Sequence, residues 1–426
     1  MRKLTDYLRK QPVESWALLA FLMAYCLFFI RPVFLGSDGL MKFPRYVPST
    51  FIGRDLQQML SYCQSWLIDK DTPYIGENLY PPFATLFFSP LLLFEFSTSY
   101  AIMTIVNVAC YLCLTLLIPI MVCKPTRSRN LLILLFALTG INSYGFQFEV
   151  ERGQFNLVAF LFSMLAIYIY HYRHDFRRLA YLLLTVAIQL KVYPAIFIVM
   201  FVRDWRDWKG NLTRLLGLAA FNGALLFILG YQVFFDFVGA IARQMRDPYI
   251  WVGNHSIKAF AVLSTDMGLE KFHLDSWLWL RQYTSLVQVV LSTFVAACLL
   301  LILLRAYRRR SGGLDPVLLV GCTIGALVIP AVSHDYKLPL LTTPMIIALC
   351  SLAQVTDSPA RLPTSVLAFV ASLAYSSTLF SYTNRPFPLL NPFPLLMVML
   401  ASFTILAVFG DVRRSRQQCE SSCLDG

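Results

Sequence analysis

The chain has 426 residues, of which 57% are hydrophobic and only 14% charged. That balance excludes a soluble globular protein, and the lack of short alternating segments excludes a membrane β-barrel. The net charge of +12 is read as the lysine and arginine bias of cytoplasmic membrane loops, not as a nucleic-acid footprint.

Apolar runs long enough to cross the hydrocarbon core recur at 15–35, 99–122, 130–147, 155–171, 211–233, 284–305, 314–332, 337–354, 364–381 and 393–410. The first is longer than a signal-peptide core and has no small-residue cleavage site after it, so it is expected to be a retained first helix. Two stretches are ambiguous: 81–96, which carries Pro90, and 179–202, which carries Lys191 and Pro194.

Charge decides between two topologies. If 81–96 crosses and 179–202 is one span, the basic loops "KPTRSRN" (124–130) and "HYRHDFRR" (171–178) lie outside. The other topology keeps 81–96 on the external leaflet. It breaks 179–202 at Lys191-Val192-Tyr193-Pro194 into two half-helices, and most of the 36 lysines and arginines then face the cytoplasm in short loops. Broken helices are tolerated where the freed backbone is buried in protein or lines a cavity. The expected fold is therefore an all-α polytopic membrane protein with about twelve transmembrane helices. It forms one domain over 1–426, with both termini cytoplasmic and external loops at 36–98 and 234–283. Within the first loop, "DLQQMLSYCQSWL" (55–67) puts Leu56, Met59, Leu60, Cys63 and Leu67 on one face, the pattern of a helix lying on the membrane surface.

Under this topology the unusual polar clusters fall mostly on the external side: "GRDLQQ", "NLYPPFATL", "FEVERGQFN", "LKVYP", "GNHSIKAF" and "SHDYKLP". Each has a structural and a functional reading. Asp55, after Gly53 and Arg54, is either a helix N-cap or a carboxylate that takes a proton from a hydroxyl. Tyr80-Pro81-Pro82 is a rigid helix start or part of a site. Glu149, Glu151 and Arg152 mark a helix end, or else Gln154 and Asn156 after them bind a sugar or position a loop. Lys191 in mid-span needs an acidic partner or contacts a phosphate or carboxylate, with Tyr193 and Pro194 shaping the turn. Asn254 is a candidate helix cap ahead of His255 and Ser256. His334, Asp335, Tyr336 and Lys337 are a solvated tip or, facing Lys191, complete a cationic pocket. Phosphate-binding glycine loops, nucleophile elbows and metal-ligand spacings are absent from the sequence. The ten cysteines are scattered, and "CESSC" at 419–423 lacks partner ligands for a metal.

Asp55, then Tyr80-Pro81-Pro82, Gly153-Gln154-Phe155-Asn156, Lys191-Val192-Tyr193-Pro194, Asn254-His255-Ser256 and His334-Asp335-Tyr336 stand in an order that resembles the GT-C superfamily of integral-membrane glycosyltransferases. Within it the chain looks most like glycosyltransferase family 87, over roughly 50–340. The resemblance implies transmembrane helices with external surface helices and an inverting transfer; a metal is not expected, since no acidic pair supports one, nor is another cofactor. The donor it implies is a polyprenyl-phosphate-linked hexose, with mannose the expected sugar, and the acceptor a lipid or glycan. It maps the catalytic base onto Asp55 and the carrier-phosphate contacts onto Lys191, His334, Tyr336 and Lys337. Arg54, Tyr80, Gln154, Asn156, Tyr193, Asn254 and His255 are left to position sugar or acceptor. The expected location is the inner (plasma) membrane, with the site on its extracytoplasmic face. Two rivals are a transporter or flippase of lipid-linked sugars, which would usually show related halves, and a noncatalytic assembly subunit.

Overall fold

The computed structural model describes residues 11–30, 52–74, 76–202, 204–267, 270, 273, 275–309, 313–354, 361–380 and 391–424. Among the described residues there are seventeen α-helices and no named strand. In chain order they are α1 (Val13–Tyr25), α2 (Arg54–Leu67), α3 (Pro82–Phe88), α4 (Phe96–Leu112), α5 (Ile118–Val122) and α6 (Arg127–Ile141). There follow α7 (Tyr144–Arg152), α8 (Asn156–Tyr172), α9 (Arg177–Leu190), α10 (Trp208–Leu225), α11 (Tyr231–Arg246) and α12 (Ile257–Thr265). The chain closes with α13 (Thr284–Arg309), α14 (Pro316–Val328), α15 (Thr342–Ala353), α16 (Arg361–Thr378) and α17 (Phe393–Leu424).

Among the described residues, three continuous helical segments have the length and apolar composition to cross a membrane: Phe96–Val122, Asp275–Arg309 and Asp335–Ala353. A fourth candidate is α6 with α7, bent by 53° at the break between them. Five shorter apolar helices accompany them. Large apolar side chains face outward along these elements, among them Ile105, Leu134, Leu138, Leu286 and Val289. Exposed apolar stripes of that kind suit a protein whose outer solvent is hydrocarbon.

Two predicted spans and one of the ambiguous runs are not single straight helices. The run 130–147 breaks because Ser143 starts a new helix, its hydroxyl accepting from the Phe146 amide at 3.2 Å. The run 211–233 breaks at Gly230, whose φ of 110° belongs to a region that side-chain-bearing residues avoid. The run 179–202 breaks where expected: Lys191 has extended backbone and a 3₁₀ helix follows over Tyr193–Phe201. Pro194 brings no N–H to that turn. At the other end of the chain, α17 continues past the apolar run 393–410 to Leu424.

The core centres on α8 and α14. Every residue of α14 from Val317 to Val328 is buried, which requires neighbours on all sides. The amphipathic α2 is as predicted, with Leu56, Met59, Leu60 and Cys63 buried; Leu67 is exposed instead.

Candidate active site

The site begins with two glycines that let α2 and α7 meet. Gly53 is the N-cap of α2 with φ 75°, and its N–H donates to the Glu151 carbonyl at 2.7 Å. Gly153 ends α7 with φ 64°. There the Gly153 N–H bonds the Val150 carbonyl at 3.0 Å and the Gln154 N–H bonds that of Glu149 at 3.0 Å, the paired pattern of a Schellman stop. A Cβ on Gly153 would lie 2.8 Å from the Leu56 Cβ, so the close approach itself demands glycine.

This stop aims Gln154 inward. Its Nε2 donates to Asp55 Oδ2 in a short hydrogen bond, and also faces the Tyr80 hydroxyl at 3.3 Å. Its Oε1 accepts from Lys191 Nζ at 2.8 Å and from Asn156 Nδ2 at 3.4 Å. The Gln154 carbonyl accepts from Asn107 Nδ2 at 2.7 Å. The Lys191 ammonium also lies over two rings, 4.3 Å from the Tyr80 centroid and 4.1 Å from that of Phe155. Such desolvated cation–π contacts contribute about 2 kcal/mol. Asp55 keeps 17% of its side chain exposed, and Arg152 Nη1 stands 3.7 Å from its Oδ1.

Glu149 lies beneath this layer, fully buried. Its Oε1 accepts from the Asn156 N–H at 2.6 Å and the Leu157 N–H at 3.1 Å, and its Oε2 accepts from Asn156 Nδ2 at 2.8 Å. A carboxylate there satisfies orphan donors of α8 and suits the positive end of the helix dipole. Tyr193 locks the same corner, its hydroxyl donating to the Asn156 carbonyl at 2.9 Å.

The other side is built from 253–256 and 333–337. Asn254 and His334 form an isolated antiparallel bridge, and the His255 N–H donates to the Ser333 carbonyl at 2.8 Å. Asn254 is not the cap of α12. That role falls to Ser256, which accepts from the Ala259 N–H at 3.2 Å, because Asn254 Oδ1 is taken by the amides of Ser256 and Ser333 at 3.1 and 3.0 Å. His255 Nδ1 is 3.4 Å from Asp335 Oδ1 and its Nε2 is 3.1 Å from Ser333 Oγ. This resembles a serine-nucleophile triad, but all three residues are sealed from solvent, so it serves as a knot between two loops. Burial, then the nearby Lys337 and His334, holds His255 well below its ordinary pKa. A neutral ring then donates from Nδ1 to Asp335 and accepts at Nε2 from Ser333.

His334 is likewise depressed, to about 3, by burial first and then by Lys337, Arg152 and Lys191. It is a neutral ring beside cations, packed edge-on to Trp251 and Tyr336 with centroids 5.5 and 5.4 Å apart. Tyr336 in turn meets Phe148 at 5.4 Å. Lys337 Nζ donates to the Val332 carbonyl at 2.9 Å and lies 5.7 Å from the Tyr193 ring centroid. It is near enough to Lys191 for the two charges to repel. Burial, followed by Asp55, pushes the Tyr80 phenol far above its ordinary pKa, so it stays protonated.

The structure thus gathers Asp55, Tyr80, Gln154, Asn156, Lys191 and Tyr193 into one contact network. It brings His334, Tyr336 and Lys337 alongside, with Asn254 and His255 supporting them from behind. Asp55 is not an N-cap, because Gly53 holds that position and the carboxylate faces Gln154. Arg54 is exposed on the first turn of α2, and the guanidinium that faces Asp55 is Arg152. Asn107, Phe155, Trp251 and Asn391 were not singled out as site residues in the sequence. Asn107 had a signal, a lone amide inside an apolar run. Asn391 had none, yet it donates to the Val252 and Asn254 carbonyls at 2.8 and 2.9 Å. Among the described residues no group of three or more His, Cys, Asp or Glu side chains is placed to hold a metal ion.

A family model described as glycosyltransferase family 87 matches residues 78–333. That interval holds Tyr80, Gln154, Asn156, Lys191, Tyr193, Asn254 and His255; Arg54, Asp55, His334, Tyr336 and Lys337 flank it. No curated protein and no solved structure matches the chain. The family match covers more than half of the 426 residues, and with the apolar helices around the site it shows that the chain belongs to glycosyltransferase family 87 and is a membrane protein.

Proposed function

We propose that the chain moves a hexose, mannose in the first instance, from a polyprenyl-phosphate donor to a hydroxyl of a lipid or glycan acceptor. The site faces the extracytoplasmic side of the inner (plasma) membrane. About twelve membrane helices carry it, with 36–98 and 234–283 as external loops and both termini in the cytoplasm. The charge distribution of the loops supports that topology. The observation that carries the chemistry is Asp55: a partly open carboxylate, oriented by Gln154, at the edge of a cluster holding Lys191, Lys337 and Arg152.

In this reading the acceptor hydroxyl hydrogen-bonds Asp55 and attacks the anomeric carbon as Asp55 takes its proton. The new carbon–oxygen bond forms as the bond to the carrier phosphate breaks, on opposite faces of the sugar, so the configuration inverts. The leaving polyprenyl phosphate carries the electron pair and an added negative charge. Lys337 supplies positive charge there and Lys191 adds its field from behind Gln154, with His334 and Tyr336 as neighbouring polar groups. In a water-poor site one such contact lowers the barrier by about 3 kcal/mol. Tyr80, Gln154, Asn156, Tyr193, Asn254 and His255 shape the sugar and acceptor surfaces directly or through the loops they hold; Arg152, not Arg54, stands beside the base.

The test incubates purified protein with polyprenyl-phosphate-mannose and an envelope lipid extract, beside Asp55→Asn. Transfer with an inverted linkage in wild type and its loss in the variant is the expected result. Equal transfer by both rejects Asp55 as the base. Transfer only with another polyprenyl-phosphate sugar replaces mannose and keeps the mechanism.

A further inference from the structure

Lys191 does not stand open like a simple phosphate clamp. One of its three donors goes to the Gln154 side-chain carbonyl at 2.8 Å, and aromatic rings cover it at 4.3 and 4.1 Å. Glu149 is near enough to attract it, yet the Glu149 oxygens already accept from Asn156 and Leu157. The ammonium therefore acts on a neutral amide, and that amide touches Asp55.

An amide has an accepting end and a donating end, and Gln154 has opposite demands at the two. Lys191 and Asn156 Nδ2 present donors at Oε1, while Asp55 and the Tyr80 hydroxyl present acceptors at Nε2. A flipped amide would set –NH₂ against an ammonium and a carbonyl oxygen against a carboxylate, losing both hydrogen bonds for two repulsions. We propose that Lys191 is a positioning residue: its ammonium locks the Gln154 amide in the orientation that presents –NH₂ to Asp55, so the buried cation and the carboxylate operate as one unit. This rests on the reading of Asp55 as the base. Asp55 is also faced by Arg152 and Glu151 of α7, by Tyr62 of its own helix, by Tyr80 before α3 and by Tyr336.

Gln154→Glu is the sharpest probe. It keeps the side-chain size and an acceptor for Lys191, but replaces the donor to Asp55 with a second carboxylate oxygen. Two carboxylates in contact do not both stay ionised, so the pair takes up a proton. The acid limb of the kcat/KM profile moves up by about one pH unit or more. Lys191→Met keeps the apolar stem and frees the amide to rotate. Its kcat falls about 10²-fold, the scale for a misplaced catalytic group, while KM for the polyprenyl-phosphate donor is unchanged. In Lys191→Met/Gln154→Met the loss is no greater than the larger single loss, as for residues acting as a unit.

An infrared titration of the carboxyl stretch, comparing Gln154→Glu with Gln154→Glu/Asp55→Asn, reports the shared proton without turnover. The proposal is overturned if Gln154→Glu shows no carboxyl titrating above the wild-type range. It is equally overturned if the two single losses multiply, or if Lys191→Met raises donor KM at unchanged kcat. A wild-type rate in Asp55→Asn together with a shifted infrared titration in Gln154→Glu removes the base assignment and leaves the lock standing.

Discussion

Arg305 and Lys191 are both buried cations, and the fold treats them differently. Arg305 has its own carboxylate: Nη1 donates to both oxygens of Asp315 at 3.0 and 2.9 Å. Asp315 also caps α14, accepting from the Val317 and Leu318 amides at 2.9 and 3.2 Å. That corner holds a helix start and a charge pair in one arrangement and leaves little for a ligand. Lys191 is given a neutral amide and two aromatic faces instead. Its ammonium has no carboxylate bonded to it, so its field remains available to Asp55 and to an anion. In the proposed function the difference separates a cation that holds the fold from one that serves chemistry.

Exchanging each region's carboxylate for its amide tests that contrast. Asp55→Asn is expected to cost about 10³-fold in transfer, with thermal unfolding close to wild type, because asparagine still fits beside Gln154. A stable variant that keeps full activity breaks the comparison. Asp315→Asn is expected to do the reverse. It leaves the Arg305 guanidinium buried without a counter-charge, at a cost of about 3 kcal/mol in stability, while the rate per folded molecule holds. Denaturant or thermal unfolding in detergent, read beside the transfer assay, gives both numbers.

Gly153→Ala sharpens the comparison by moving the site's frame without touching its charges. A φ of 64° and a Cβ 2.8 Å from that of Leu56 predict a loss of about 1–2 kcal/mol. A fall in kcat accompanies it as α2 shifts Asp55 from Gln154. The effect that is smallest near neutral pH comes from His334. His334 is held at about 3 against an ordinary 6.5, so the unfolded chain binds a proton there that the folded chain refuses. Stability is therefore full above about 6.5 and declines as pH falls from there toward about 3. His334→Gln is expected to flatten that part of a melting-temperature profile.

Much of this was legible in the residues. Lysine and proline inside one apolar run made 179–202 ambiguous, and the placement of the basic loops then forecast the break at Lys191. The amphipathic spacing of 55–67 forecast α2. The breaks at Ser143 and Gly230 were not forecast. They depend on a cap and a backbone angle, which hydropathy does not register. Arg54, expected to position sugar or acceptor, adjoins Asp55 in the chain, but consecutive helical residues point in different directions. The facing guanidinium comes instead from Arg152, 97 positions on by the numbering, across the α2–α7 contact.

Composition and charge pattern alone determined that the chain is all-helical and membrane-borne, because apolar content and helical periodicity are local properties. The order of its short motifs pointed to a glycosyltransferase before any contact was known. Only the tertiary structure decided that Gln154 stands between Asp55 and Lys191, that Ser256 and not Asn254 caps α12, and that Glu149 is spent on the start of α8. Those roles are set by which donor lies within about 3 Å of which acceptor, a distance that residues far apart in the chain acquire only when the helices pack.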